Sequence, residues 1–186
     1  MPALQNPVTQ SLLTALEKSA PLSAADRHFL SLYYHRLSGQ DYRPQLARMF
    51  HRIACRHREL GTIRAPGQCI VALDNQIMPG GRAAGAADCT HIFIVQDDRA
   101  FIIDSLLIKL DALGKTPHRM LHPLFAVTRD QRRKAVRYAP AGGIAEGDGS
   151  ALESYTYFLV DRIPECKHAA VAAEIHQVLD LSLIHI

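Results

Sequence analysis

The segment from residue 90 to residue 127 constrains the fold most strongly, because it combines two periodicities in a fixed order. Residues 92–95 (Ile-Phe-Ile-Val) form a short apolar run rich in β-branched side chains, which is typical of a strand buried on both faces. Leucine and isoleucine then recur at helical spacing up to Gly114, a residue type that commonly ends helices. The segment therefore predicts a strand, a helix over residues 101–113 and a second strand over residues 121–128.

Asp97 and Asp98 stand between the first strand and the helix. Aspartate is a favoured N-terminal cap, because its carboxylate accepts backbone N–H groups and suits the positive end of the helix dipole. We interpret this pair as the cap of the helix, in preference to a general acid and base.

The remainder of this region continues the alternation of strands and helices. It comprises a basic segment at 132–138, a glycine-rich loop at 141–149, an aromatic and β-branched strand at 154–160, and a helix that begins near Pro164. The order strand, helix, strand, strand, helix predicts an α+β, ferredoxin-like (ACT-type) split βαβ sheet. Such a sheet normally ends with a fourth strand after the second helix, which pairs with the first strand. We expect residues 69–73 to cover that edge of the strand at 92–95 instead.

The first third of the chain has a helical pattern. Apolar residues three or four apart predict helices over 7–18, 24–37 and 44–60. A flexible linker at 79–85 is rich in glycine. We therefore predict a helical N-terminal extension at 1–65 and an ACT-like α/β domain at 66–180.

The last six residues, 181–186 (Leu-Ser-Leu-Ile-His-Ile), resemble the translated end of a transposase adapter used in DNA sequencing libraries. We expect this tail to be non-native, the native sequence to stop near Asp180, and the chain to be a fragment. The alternative is a genuine apolar strand, because strands of this length and composition are ordinary.

Several short matches in the right order make residues 88–180 resemble the first ACT-type domain of the large bacterial NAD-specific glutamate dehydrogenases. They are the start of the helix at 95–105, His122-Pro123, and Glu153-Ser154 leading to Asp161-Arg162. The resemblance implies a non-catalytic regulatory and assembly region of an enzyme that converts L-glutamate and NAD to 2-oxoglutarate, ammonia and NADH. It implies no cofactor in this segment, with NAD bound elsewhere in the full-length enzyme.

The resemblance also implies a ligand-binding turn. This turn comprises Asp97, Asp98, Arg99, Ala100, Phe101 and Ile102. ACT domains often place a glycine near this turn, so that an amino-acid effector can approach the backbone. This chain has Ala100 and Phe101 there instead. The family usually carries Met-Pro where this chain has Arg99-Ala100.

The implied partners are the rest of the dehydrogenase chain, further copies in a homo-oligomer, and an amino-acid effector. A free-standing ACT-like amino-acid-sensing module is the alternative.

Composition excludes several other classes of protein. The hydrophobic content is 48% and the mean hydropathy is -0.03, as expected for a globular chain. No apolar run approaches the roughly 18 residues of a membrane span, and the first twenty residues do not follow the pattern of a secretory signal. We therefore expect a cytoplasmic protein without a membrane partner.

A basic face on the third predicted helix raises the question of nucleic acid. Arg48, Arg52 and Arg56 are four residues apart and align on one side of that helix. The net charge is only +3, and no series of stacking aromatics accompanies these arginines. We expect a solvated face or a contact with an acidic protein surface, and no nucleic acid.

The remaining motifs do not predict a metal site or a catalytic site. His51, Cys55, Cys89 and His91 have ligand chemistry, but their spacing is not that of a zinc site. Residues 113–116 imitate the end of a phosphate-binding loop, yet they close a predicted helix instead of opening one. Ser105 with Asp104, and Cys89 with His91, have no readable activating base and orienting partner. We assign no catalytic residue and no metal ligand.

Overall fold

The computed structural model describes residues 6–77, 88–143 and 149–181. Within these ranges the helices are α1 (Pro7–Glu17), α2 (Ala24–Tyr33), α3 (Ala47–Gly61), α4 (Ile102–Ala112) and α5 (His168–Leu181). The strands are β1 (Ile70–Asp74), β2 (Cys89–Asp97), β3 (Arg119–Leu121), β4 (Leu124–Arg129), β5 (Ala135–Pro140) and β6 (Ser150–Asp161). The registered strand pairs are antiparallel, and the predicted α+β class is confirmed.

The chain forms two compact units whose limits do not follow the order of the sequence. The first comprises Met1–Arg64 and Pro123–Leu152, and the second comprises Ala65–His122 and Glu153–Ile186. Most of β6 therefore belongs to the second unit. The domain limits taken from the sequence, at 1–65 and 66–180, stay a prediction.

In the first unit, Asn6 begins α1 and fixes it to a distant segment. Its side-chain oxygen accepts the backbone N–H of Val8 at 2.9 Å, as an N-terminal cap does. Its side-chain nitrogen donates to the carbonyls of His35 and Leu37 at 2.9 and 2.8 Å. One asparagine thus anchors the start of α1 to the chain that follows α2.

An aromatic cluster forms the core of the first unit. Its members are Phe29, Tyr33, Tyr34, Phe50 and Phe125, each at most 3% exposed. The Phe29 ring stacks on Phe125, with centroids 5.5 Å apart, so that α2 packs on the hairpin of β4 and β5. Aromatic pairs of this kind add stability beyond the area that they bury.

The β4–β5 hairpin carries a tight turn and a bulge. Asp130 accepts the backbone N–H groups of Arg132 and Lys134 at 2.9 Å, which closes the turn. Arg133 has a φ of 64°, in the left-handed region. The register passes from Arg129 opposite Ala135 to Thr128 opposite Arg137, so Val136 is the extra residue of a bulge. The predicted basic segment at 132–138 is therefore the turn and second strand of a hairpin.

In the second unit, β2 pairs with β1 on one edge and with β6 on the other. β3 pairs with residues of β6 that already face β2, so it lies on the far edge of β6. The strand order is therefore β1, β2, β6, β3. The prediction that residues 69–73 cover the edge of the first predicted strand is confirmed, because β1 pairs with 91–95.

Both helices of the second unit share one hydrophobic core with the sheet. Ile92 and Ile94 of β2 belong to a buried cluster with residues of α4 and α5. The helix residues of this cluster are Ile102, Leu106, Leu110, Val171, Ile175 and Leu179. Phe93 and Val95, on the opposite face of β2, are also fully buried, so burial on both faces explains why residues 92–95 are all apolar.

Two sequence predictions about the elements are wrong. The single strand expected at 121–128 is two strands, β3 and β4, interrupted at His122-Pro123. Proline has no N–H for a strand ladder and restricts the residue before it, which explains the interruption. The helix expected at 24–37 ends at Tyr33.

Other predictions fall on residues that the structure does not describe. They are the linker at 79–85, part of the loop at 141–149, and all but the first residue of the tail at 181–186. Among the described helices, none combines the length and the apolar character needed to cross a bilayer.

Candidate functional site

The turn between β2 and α4 contains all six residues predicted to bind a ligand. Asp97 is the last residue of β2, and its carboxylate accepts the backbone N–H of Gly67 at 2.7 Å. α4 begins only at Ile102, and the residue at its cap position is Phe101, with no side-chain cap bond. The capping role predicted for Asp97 and Asp98 is therefore wrong, because a cap must adjoin the first helical residue.

Phe101 has an unusual backbone conformation at this turn. Its φ is 63° and its ψ is 9°, the left-handed region that glycine adopts without a steric penalty. For another residue this conformation costs about 1–2 kcal/mol. The Phe101 side chain is 71% exposed, so burial of its ring does not offset that cost. The left-handed position coincides with the turn where ACT domains often have a glycine.

The six predicted residues differ in accessibility. Asp98 and Arg99 are half-buried, and Ala100 and Phe101 are exposed. Ile102 is only 2% exposed and belongs to the hydrophobic core of the second unit. The accessible part of the predicted site therefore ends at Phe101, and Ile102 anchors the helix.

Sequence reasoning missed the residue directly before the turn, Gln96. It is 1% exposed, and neither its side-chain oxygen nor its side-chain nitrogen has a hydrogen-bond partner. Because alternate residues of a strand share a face, Gln96 lies on the same side of β2 as Ile92 and Ile94, beneath α4 and α5. The sequence did contain a signal for this residue, because the alternate positions 92, 94 and 96 read Ile, Ile, Gln, which places a polar residue on an apolar face.

Buried hydroxyl groups lie next to Gln96 on β6. Ser154 is the residue directly opposite Gln96 in the antiparallel register. The Ser154 hydroxyl lies 3.1 Å from that of Thr156 and 2.8 Å from Nε2 of His122. Ser154 and Thr156 are fully buried, so the His122–Ser154 pair forms part of a hydrogen-bond network and not an accessible nucleophile with its base.

The turn thus combines three features that fit a small polar ligand. The first turn of α4 has N–H groups without a side-chain cap. The Gln96 amide supplies one donor and one acceptor group that are unsatisfied, and buried polar groups are normally paired. The Ser154 and Thr156 hydroxyls can donate or accept. Together these groups could bind a molecule that carries both an anionic and a cationic group.

A second polar pair lies deep in the second unit, on the other face of β2. Nδ1 of His91 is 2.8 Å from the Tyr157 hydroxyl, and both residues are at most 1% exposed. Burial lowers the pKa of His91 from 6.5 to about 4, against a smaller opposing effect of the Asp74 charge. Burial also raises the pKa of Tyr157, so both side chains are neutral at pH 7.

The side chains weighed as metal ligands have other surroundings. Nε2 of His51 lies 3.4 Å from Sγ of Cys55, and burial raises the pKa of this thiol. His91 contacts Tyr157, and burial raises the pKa of Cys89. Over residues 6–77, 88–143 and 149–181, no group of three or more His, Cys, Asp or Glu side chains is arranged to hold a metal ion.

Comparison with known proteins identifies the family. The family model described as "Glutamate dehydrogenase, ACT1 domain" matches residues 29–175. The protein therefore belongs to the glutamate dehydrogenase ACT1 domain family, as the sequence motifs predicted. Searches of curated proteins and of solved structures found no match.

The His91 pair predicts a loss of stability in acid. The imidazole is protonated near pH 6.5 in the unfolded chain but only near pH 4 in the folded one. Stability should therefore fall as the pH drops through this window, by roughly 3 kcal/mol from this group. His91→Gln keeps a hydrogen-bonding group that does not titrate. Urea unfolding at several pH values should show a shallower pH dependence for His91→Gln, and parallel curves would contradict the prediction.

The Gln96 amide predicts an unusual stabilising substitution. Gln96→Met keeps the length of the side chain but removes the unsatisfied amide, so the free energy of unfolding should rise by about 1–3 kcal/mol. Gln177→Met, at an exposed position of α5, is the matched control and should change stability by less than about 0.5 kcal/mol. Urea unfolding of both variants tests this prediction, and it fails if Gln96→Met is destabilising.

Proposed function

We propose that this chain is a non-catalytic regulatory and assembly region of an NAD-dependent glutamate dehydrogenase. The observation that carries this proposal is the family match over residues 29–175. The whole enzyme would convert L-glutamate and NAD to 2-oxoglutarate, ammonia and NADH. Other parts of that enzyme would bind NAD and supply the catalytic groups. We place the whole enzyme in the cytoplasm.

The arrangement of the second unit supports this role. Once β4 and β5, which belong to the first unit, are left out, the remaining elements β2, α4, β3, β6 and α5 have the order of a ferredoxin-like split βαβ unit. β1 lies at the edge of β2, where the fourth strand of such a sheet would lie, although it precedes β2 in the chain. We propose that this unit is the ACT-like fold, with its last strand supplied from the N-terminal side.

The chemistry of the described side chains is consistent with a role in binding and assembly. Ser154 lies 2.8 Å from His122 but is fully buried. Cys55 lies 3.4 Å from His51, and burial raises the pKa of its thiol, which disfavours the reactive thiolate. The proposed partners are the rest of the dehydrogenase chain and further copies of the same chain in a homo-oligomer.

Expression of the gene tests this proposal. The open reading frame that includes codons 1–180 should encode a polypeptide that forms NADH from NAD only when L-glutamate is present. The 186-residue chain by itself should form no NADH under the same conditions. The proposal is wrong if the longer product lacks glutamate-dependent activity, or if the 186-residue chain turns over glutamate unaided.

Gln96 supports a second candidate function, amino-acid sensing at the turn that follows β2. An α-amino acid has a carboxylate for the N–H groups of α4 and for the amide nitrogen of Gln96. It also has an ammonium group for the amide oxygen of Gln96 and for nearby hydroxyls. We propose that an effector of this class would bind here, with local movement of the turn at Phe101 to admit it.

Titration calorimetry with the standard amino acids tests the sensor function on the 186-residue chain. Saturable binding should occur for at least one amino acid and should be lost in Gln96→Met, because methionine supplies neither the donor nor the acceptor. Gln177→Met should bind as the unsubstituted chain does. If no amino acid in the panel produces heat of binding, the sensor function is wrong and only the assembly role stands.

A further inference from the structure

A groove in the first unit has a composition that neither the predicted turn nor the family match accounts for. Its volume is about 340 Å³. It is lined by Ala25, His28 and Phe29 of α2, Arg58 of α3, and Val136, Arg137 and Tyr138 of β5. This volume is near the lower end of the range of ligand pockets, roughly 300–1,000 Å³, which suits a single anchoring side chain.

The floor of the groove is fixed by contacts on several sides. The Arg58 guanidinium lies 5.1 Å from the centre of the Phe29 ring and donates to the Asp26 carboxylate at 2.6 Å. Three aromatic rings also contact Phe29: Phe125 stacks on it at 5.5 Å, Tyr138 meets it edge-on at 5.0 Å, and Tyr33 lies 5.8 Å from it. His28 Nε2 lies 3.2 Å from the Tyr138 carbonyl oxygen and joins α2 to β5.

Val136 gives the groove an exposed apolar contact. It is the extra residue of the bulge in β5, and it is 59% exposed. A bulge redirects the side chain of its strand, and bulges are frequent beside functional sites. Val136 and the methyl group of Ala25, which is also exposed, therefore offer an apolar contact at the surface.

The hairpin that carries this groove is strongly basic. Residues 129–137 contain five Arg or Lys residues and a single acid, Asp130. The Asp130 carboxylate accepts two backbone N–H groups of the turn. Arg132, Arg133, Lys134 and Arg137 are exposed. With a rise of about 3.3 Å per residue, the turn lies within reach of a short peptide anchored at Val136.

We propose that this basic groove binds an acidic peptide segment that places one apolar side chain against Val136 and Ala25. The carboxylates of the segment would lie along the basic turn and Arg137. Complementary charges of this kind favour encounter and fix the register of a bound segment. The proposal goes beyond the dehydrogenase role and does not depend on amino-acid binding at the turn after β2.

The other occupants fit less well. Single-stranded nucleic acid binds to basic surfaces by stacking bases on exposed aromatic rings. Phe29 is only 3% exposed, and the half-buried Tyr138 ring already packs edge-on against Phe29 and Phe125. A second copy of this chain would have to supply an acidic segment, and its longest acidic run is Asp97-Asp98. The acidic segment should therefore come from outside this 186-residue sequence.

Fluorescence polarisation on the 186-residue chain tests the proposal with two labelled peptides. The first is Glu-Asp-Glu-Leu-Phe-Asp-Glu-Asp, and the second has Ser-Ser in place of Leu-Phe. The first should bind saturably, with an affinity that falls as salt is added. The second should bind about tenfold more weakly or worse, because it lacks the apolar anchor.

Substitutions in the groove should weaken binding of the first peptide. Ala25→Glu places a carboxylate in the first turn of α2, where an acid suits the helix dipole, so folding should be intact while affinity falls about tenfold. Val136→Ser should weaken binding by removing the apolar contact. Arg133→Gly removes a charge and relieves the left-handed backbone, so the variant should lose affinity while it is at least as stable.

Arg48→Gln is the matched control, because it removes an exposed positive charge of α3 outside the groove. It should leave the affinity within about twofold. The proposal is overturned if neither peptide binds, if both bind equally, or if Arg48→Gln weakens binding as much as the groove variants. It is also overturned if oligothymidylate displaces the peptide with higher affinity, which would assign the groove to nucleic acid.

Discussion

The antiparallel pairing of β2 with β6 is the interaction on which the second unit depends. Nine residue pairs join the two strands, from Cys89 opposite Asp161 to Asp97 opposite Glu153. The same ladder places Ile92 and Ile94 beneath the helices and sets Gln96 opposite Ser154. A shift of one residue would turn every one of these side chains to the other face of the sheet. The core and the candidate site therefore depend on a single register.

Local pattern was sufficient to predict much of this unit. The apolar run at 92–95 and the helical spacing after it predict β2 and α4, because both elements bury continuous or periodic apolar faces. The edge strand β1 followed from the need to cover an open strand, and the structure confirms that pairing. Motifs in the same segment predicted the family, which the comparison confirms.

The features that the sequence did not predict depend on geometry that spacing does not encode. The carboxylate of Asp97 is held by Gly67, thirty residues away, so local preference gave it the wrong role as a cap. The left-handed conformation of Phe101 could not be predicted, because a glycine is the usual sign of such a conformation and this turn has none. In the first unit, the bulge that exposes Val136 arises from the register of the hairpin, and the basic residues around it read only as a charged segment.

The turn after β2 concentrates features that reduce stability: the strained Phe101, the uncapped start of α4 and the unsatisfied Gln96 amide. Strained backbone often marks functional sites, and regions that respond to ligands have low local stability. A rigid β2–β6 ladder therefore carries a weakly held turn. Hydrogen exchange of the backbone amides measures this difference in stability. We expect slow exchange through residues 90–96 and 154–160, governed by global unfolding, and much faster exchange at residues 98–103. Equal protection in the ladder and the turn would contradict it.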